Sequence, residues 1–163
     1  VRGVREGSAS LGVCWDAADL SGLSTIAYRS DELTVAVHAS HPLAAHQHIA
    51  FAQTLDFEQV VLPVNSAVNL LLARAAAAVG KRVQHRVVVT GFDAALRAVL
   101  ANLALAVVPL EVVSPYRNHP ALRFIRLDET WAQRRFAICY RREEDLSAAA
   151  RLLRDFLADR AAL

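Results

Sequence analysis

Methionine is missing from this 163-residue sequence, and lysine occurs once, at Lys81, against 17 arginines. Cysteine is nearly missing as well. Cys14 and Cys139 are too few for a disulfide framework and fit a reduced, cytoplasmic setting. The six glycines never fall into the Gly-x-Gly-x-x-Gly or Walker spacing, which excludes the usual phosphate-cradling loops. No apolar run is long enough to span a bilayer, 103–110 included, so no membrane partner is expected. No apolar stretch follows the first five residues as a secretory leader would require. A net charge of +2 supplies no strong electrostatic reason to hold nucleic acid. The valine start and the lack of methionine suggest a piece of something longer.

What is present is an apolar, alternating chain: 55% of residues are hydrophobic and 21% charged, a globular balance. Strands are predicted over 11–15, 25–28 and 33–38, the last rich in β-branched residues and stopped by Pro42. A strand over 59–62 leads to a helix over 66–79, with Val68, Leu71, Leu72, Ala75 and Val79 on one face and Gly80 as its stop. A strand over 83–89, a helix over 92–101 and the fully apolar strand 105–108 follow. Beyond a short helix near Glu111 come strands over 122–127 and 136–140. The chain ends in an amphipathic helix over 146–160 that directs Leu146, Ala149, Ala150, Leu153 and Leu157 inward. Alternating strands and helices predict an α/β fold, with residues 60–109 a complete β-α-β-α-β unit.

Several groups invite a chemical reading. His38, His41, His46 and His48 lie within eleven residues, but Pro42 separates the first from the last and no cysteine completes a metal set. Exposed loop histidines explain them, and no metal is expected. Cys14 follows a strand, yet no Gly-x-Ser-x-Gly elbow exists, and a buried inert thiol is the simpler state. No acid–base or nucleophile set emerges, so no catalytic residue is assigned and an enzyme is not expected. Arg134-Arg135 and Arg141-Arg142 read as solvated strand ends. More telling are two helix starts that follow strand ends: Val64-Asn65-Ser66-Ala67 and Thr90-Gly91-Phe92-Asp93. Each offers free backbone N–H groups and small polar side chains at the carboxyl end of a strand, where open α/β sheets bind ligands. Ordinary capping by Asn65 or Ser66 and by Thr90 is the plain alternative, and one loop can do both.

The segment from Gly7 to Val13, the string Leu33-Thr-Val-Ala-Val-His38 running into His41-Pro42-Leu43-Ala44, the alanine-rich stretch from Ala94 to Pro109 and the closing Arg-Asp-Phe-Leu157 together resemble the effector-binding domain of LysR-type transcription regulators. The resemblance covers essentially the whole chain. The 35–43 string is most similar to the branch that senses aromatic-degradation intermediates. The family implies two Rossmann-like lobes, as in type II periplasmic binding proteins, with a small-molecule effector in the cleft between them. On this basis lobe I is expected at 1–57 and 117–163, and lobe II at 58–116. No cofactor is implied. A homodimer or tetramer is, with DNA contacted only through a winged helix-turn-helix that would precede Val1.

The chain departs from the family at three points. The first strand and helix of lobe I are missing, Ser10 stands where an aspartate is usual, and Asn102-Leu103-Ala104 replaces a Gly-x-Gly turn. Asparagine tolerates the positive φ such a turn needs. Carried over by position, the expected effector contacts are Val64, Asn65, Ser66, Ala67, Thr90, Gly91 and Phe92 in lobe II, with Cys14, Trp15 and Thr25 in lobe I. The competing reading is a stand-alone solute-binding protein of the same fold.

Overall fold

The computed structural model describes residues 1–15 and 18–159. By packing, the chain divides into two units, one formed by Val1–Asp31 with Gln133–Leu163 and the other by Glu32–Ala132. The fold is mixed α/β, with eight strands and five α-helices among the described residues.

In the first unit, α1 (Arg2–Glu6) precedes β1 (Gly12–Trp15), and β8 (Gln133–Tyr140) and α5 (Ala148–Asp159) close the chain. β1 pairs antiparallel with β8, Cys14 lying opposite Ala137. β8 is flanked on its other side by β2 (Ser24–His38). Sequence pattern missed α1, which Gly7 ends in a left-handed conformation at φ 79°. Sequence pattern also split β2 into two strands, because the polar run Arg29 to Glu32 interrupts the apolar alternation. The backbone runs straight through that interruption. Asp31 accepts from Arg134 Nε at 2.7 Å and from its Nη2, and both side chains are about nine-tenths buried. A bidentate, well-shielded pair of this kind ties β2 to β8.

Two small apolar clusters lie among the described residues of this unit. One gathers Val4, Cys14 and Cys139, the other Tyr140, Leu146 and Ala150. α5 forms as the periodicity predicts and buries part of the stripe expected of it. Leu146 and Ala150 are buried and Leu157 is half-buried, whereas Leu153 is 51% exposed and Ala149 faces solvent. Amphipathic spacing specifies a face, and the cluster around Tyr140 covers that face at Leu146 and Ala150.

The second unit contains the latter part of β2 together with β3 (His48–Ile49), α2 (Phe51–Thr54), β4 (Glu58–Val61), α3 (Ala67–Ala78), β5 (Gln84–Val88), α4 (Phe92–Leu100), β6 (Leu105–Pro109) and β7 (Leu122–Leu127). β4 runs parallel to both β5 and β6, giving the β-α-β-α-β unit that the sequence predicts. β2 is antiparallel to β6 and β7, and β3 joins the outer side of β7. β6 is buried along its whole length, as a strand covered on both faces must be.

Each long helix here stops for a clear reason. Past α3, Gly80 sits at φ 69°, its N–H donating to Ala77 O while Lys81 N–H reaches Ala76 O, a Schellman closure. After α4, Asn102 takes φ 53°, the left-handed turn expected of it. The core packs Leu96, Val99 and Ala95 of α4 against Val60, Ala106 and Val108, with Ala36 and Leu122.

Residues 32–57 and 117–132 pack with 58–116, not with the first unit as the expected lobe boundaries had them. Hydrogen bonding is the reason: β2 from Thr34 to His38 is laddered to β7, and β3 to β7, inside the second unit. The short helix expected near Glu111 is a 3-10 turn, Ser114–Tyr116.

Candidate functional site

In the second unit, β4 and β5 lie side by side and parallel, so the loops leaving their carboxyl ends start from the same edge. The Val89 N–H donates to Val61 O at 2.9 Å and carries the pairing one step past β5. Out of these two ends come the loops 62–67 and 89–92, and with them all seven residues expected in this unit.

The first loop turns tightly. Ser66 N–H donates to Pro63 O at 2.8 Å, and Ser66 Oγ accepts from Asn69 N at 3.2 Å as the N-cap of α3. Ser66 is therefore the capping residue of the Asn65–Ser66 pair. Val64 and Asn65 stand exposed at the tip, Val64 at 71%, and Ala67 opens the helix with its N–H directed outward along the axis. The second loop is capped differently. Gly91, not Thr90, occupies the N-cap of α4, in an extended conformation with no side-chain cap. Thr90 is exposed and its hydroxyl is free to face a ligand. Nothing lies within 4 Å of where a Cβ on Gly91 would stand, so the ground beside the first turn of α4 is open. Phe92 turns inward instead, bordering a cavity of about 10 Å³ with Val68, Asn69, Leu72 and Ala95. A void of that size holds one water at most, so a ligand at this edge must rest on the loops, outside the core.

Beyond the Asn69 N–H that Ser66 caps, the two helix starts bring backbone N–H groups and the positive ends of two helix dipoles to one edge, a setting that favours an anion. One carboxylate moderates it. Asp93, in the first turn of α4, accepts from Tyr116 Oη at 2.8 Å and from Arg97 Nε at 2.9 Å. The Tyr116 hydrogen bond, followed by that from Arg97, holds the Asp93 carboxyl below its ordinary range, and the same contact to Asp93 raises the Tyr116 phenol.

In the first unit, Cys14 is buried, its Sγ 3.1 Å from that of Cys139, and both thiols are free. Burial, then the Cys14 contact, pushes Cys139 up to about 11. Trp15 is half-buried at the end of β1, and Thr25 is exposed near the start of β2. The four clustered histidines do not assemble. His38 Nδ1 bonds Ser40 Oγ at 2.7 Å, His41 Nδ1 accepts from Leu43 N, and His48 meets Asp128 at 3.3 Å. Among the described residues no group of three or more potential ligands gathers as a metal would need. No described helix is long and apolar enough to cross a membrane.

The family model for the LysR substrate binding domain matches residues 1–162. This chain belongs to that family. A curated relative, the RuBisCO operon transcriptional regulator of Allochromatium vinosum, is 26% identical over 136 residues, which are 83% of this chain and 45% of the relative. The chain thus spans about half the length of that regulator. Among solved structures, the regulatory domain of Synechocystis PCC6803 CcmR in complex with 2-PG superposes with a TM-score of 0.83 at 16% identity, covering 98% of this chain and 77% of that one. The effector-binding domain of QuiR in complex with shikimate gives 0.79 at 17% identity, covering 99% and 76%. These likenesses establish for this LysR domain the fold of the family's effector-binding structures, of the type II periplasmic-binding kind.

Sequence reasoning missed the Asp93–Tyr116–Arg97 group. Arg97 was visible as an i, i+4 partner of Asp93 on a predicted helix. Tyr116 was not, because it comes from a turn 23 residues away that only the packing of 110–116 against α4 brings close.

Proposed function

We propose that this LysR domain is the effector-sensing part of a DNA-binding transcription regulator and takes a small acid, of the aromatic-derived kind, at the edge formed by Val64–Ala67 and Thr90–Phe92. One observation carries this reading: two parallel strands deliver two helix N-termini, with Ser66 and Thr90, to a single open edge. That arrangement suits a carboxylate, which can accept from backbone N–H groups and small hydroxyls together. The ligands named for the CcmR and QuiR domains, 2-PG and shikimate, support a small polar effector here.

Control of transcription follows by population shift. A ligand that binds one state better than another raises that state's share, by no more than its differential affinity allows. The intact regulator acts as a homodimer or tetramer in the cytoplasm and reaches DNA through a separate winged helix-turn-helix; this domain senses and does not catalyse. The name of the Allochromatium vinosum relative supports the regulatory role.

A thermal-shift screen of the intact protein against aromatic acids, muconate-like diacids and amino acids tests the reading. One acid class should raise the melting temperature in a saturable way. Ser66→Ala and Thr90→Val should each weaken that response about tenfold, as expected for one lost charge-assisted hydrogen bond. A response from an acid class that both substitutions leave untouched would remove the site from this edge. A flat panel would remove the aromatic-acid assignment.

A further inference from the structure

At the opposite end of the second unit's sheet lies a different surface. Leu33 faces Pro109, which puts that end of β2 beside the carboxyl ends of β6 and β4 and so beside the loops just described. His38, at the other end of β2, faces Leu122, and Ala39 N–H donates to Ala121 O at 2.8 Å. Around this far end, Arg117, Asn118, His119, Pro120, Arg123 and Phe124 line a hollow of about 350 Å³. Pockets that take small molecules start at roughly 300 Å³.

The charge in this hollow is uncompensated. No acidic residue occurs between Glu111 and Asp128. Arg97 and Arg126, nearby in sequence, each have a carboxylate partner, but among the described residues neither Arg117 nor Arg123 makes an ion pair. Arg123 is nonetheless held in place, because Nη1 donates to Pro120 O at 3.0 Å and Leu122 O at 2.7 Å. Its Nε and Nη2 remain as unused donors of a fixed fork. His119 is set in a similar way. Nδ1 accepts from Ala121 N–H at 3.2 Å, which leaves Nε2–H as the outward donor. The floor is apolar and firm: Leu122 is buried in a core cluster with α4 and Phe124 packs against it.

We propose that this hollow is a second binding site, separate from the strand-end loops, for a small organic carboxylate with an apolar body. The carboxylate would be received by the guanidinium groups of Arg117 and Arg123 and by His119 Nε2–H, with the amide of Asn118 at the rim. The apolar body lies over Phe124, Pro120 and Leu122. Charge and floor together select the class: a bare inorganic anion leaves the floor wet, and an uncharged apolar molecule leaves the donors unused.

Calorimetric titration of the intact protein with benzoate, inorganic phosphate and benzyl alcohol separates these requirements. Benzoate should bind saturably and more tightly than phosphate, and benzyl alcohol should not bind. Arg117→Gln, at an exposed position, should weaken benzoate about tenfold or more. Arg123→Gln should do the same, whereas Arg82→Gln, which removes the same charge elsewhere, should change it less than twofold. Absent benzoate binding, phosphate binding as tight as benzoate, or an equal loss in Arg82→Gln would each overturn the proposal. Ser66→Ala distinguishes the two sites. Benzoate binding that responds to Ser66→Ala and not to Arg117→Gln belongs to the strand-end loops and removes the hollow. Binding that responds only to Arg117→Gln supports the hollow whatever becomes of the other reading.

Discussion

The two units of this LysR domain are held together by different means. In the second, a β-α-β-α-β core buries Val60, Leu96, Val99 and the whole of β6 between sheet and helices. Among its described residues the first gathers small clusters around Val4 and Tyr140, and it supplements them with charge. Asp31 and Arg134 are buried as a pair, and Arg134 also lies 5.3 Å from the centre of the Phe136 ring. On α5, Arg154 bonds Glu143 and Asp155 and sits over Tyr140 at 5.6 Å. Burial of apolar area tolerates small errors of placement, whereas a buried ion pair stabilises only while both partners are present.

Removing one partner from the buried pair should have the largest effect. Asp31→Ala strands the Arg134 guanidinium and should cost about 3–5 kcal/mol. Hydrogen exchange should show β8 and β1 losing protection while β4 and β6 keep theirs. Equal loss in both units would erase this contrast. Replacing both partners with apolar residues should recover much of the loss.

A matched pair of leucine truncations sharpens the same contrast. Leu96→Ala in α4 opens a cavity in a packed core and should cost about 3–5 kcal/mol. Leu152→Ala in α5 removes a side chain that is 72% exposed and should cost less than about 0.5 kcal/mol. Denaturant unfolding compares them directly. A large cost at Leu152 would mean that the α5 face is covered in solution.

The smallest expected effect concerns pH within the second unit. Burial pulls the His41 pKa below its ordinary 6.5, and its Nδ1 must stay unprotonated to accept from Leu43 N–H. The folded state therefore binds a proton less readily than the unfolded one. The associated stability is fully present above about pH 6.5 and is lost as pH falls through the lower folded value. NMR titration should place the His41 ring below 6.5, and His41→Asn should flatten the thermal stability profile in that range.

Much of the second unit was legible because its signals are local. Strand 105–109 is apolar without a break, the α3 stripe of Val68, Leu71 and Leu72 repeats at helical spacing, and Gly80 and Asn102 stand where left-handed turns are needed. The loops 62–67 and 89–92 could be named for the same reason, since a strand end followed by a small polar residue and a helix is a contiguous pattern. Less was legible in the first unit. The polar run at 29–32 concealed one continuous strand, because Asp31 finds its partner 103 residues away. Of the inward face assigned to α5, Leu146 and Ala150 are buried, whereas Ala149 and Leu153 are not. The hollow of Arg117 and Arg123 went unnoticed, since free arginines look like paired ones until their neighbours are known.

Taken alone, the amino-acid order determined the family, the α/β class, the helix stops and the two loops at the strand ends. The family rests on resemblance, whereas the class, the helix stops and the loops follow from periodicity, backbone preference and turn chemistry within a few residues. Tertiary structure alone decided that 32–57 and 117–132 join the second unit, that Tyr116 meets Asp93, and that Asp31 is buried against Arg134. It also decided which guanidinium groups are left without a carboxylate. Such outcomes depend on which distant segments come into contact, and local pattern carries no record of a partner that lies far along the chain.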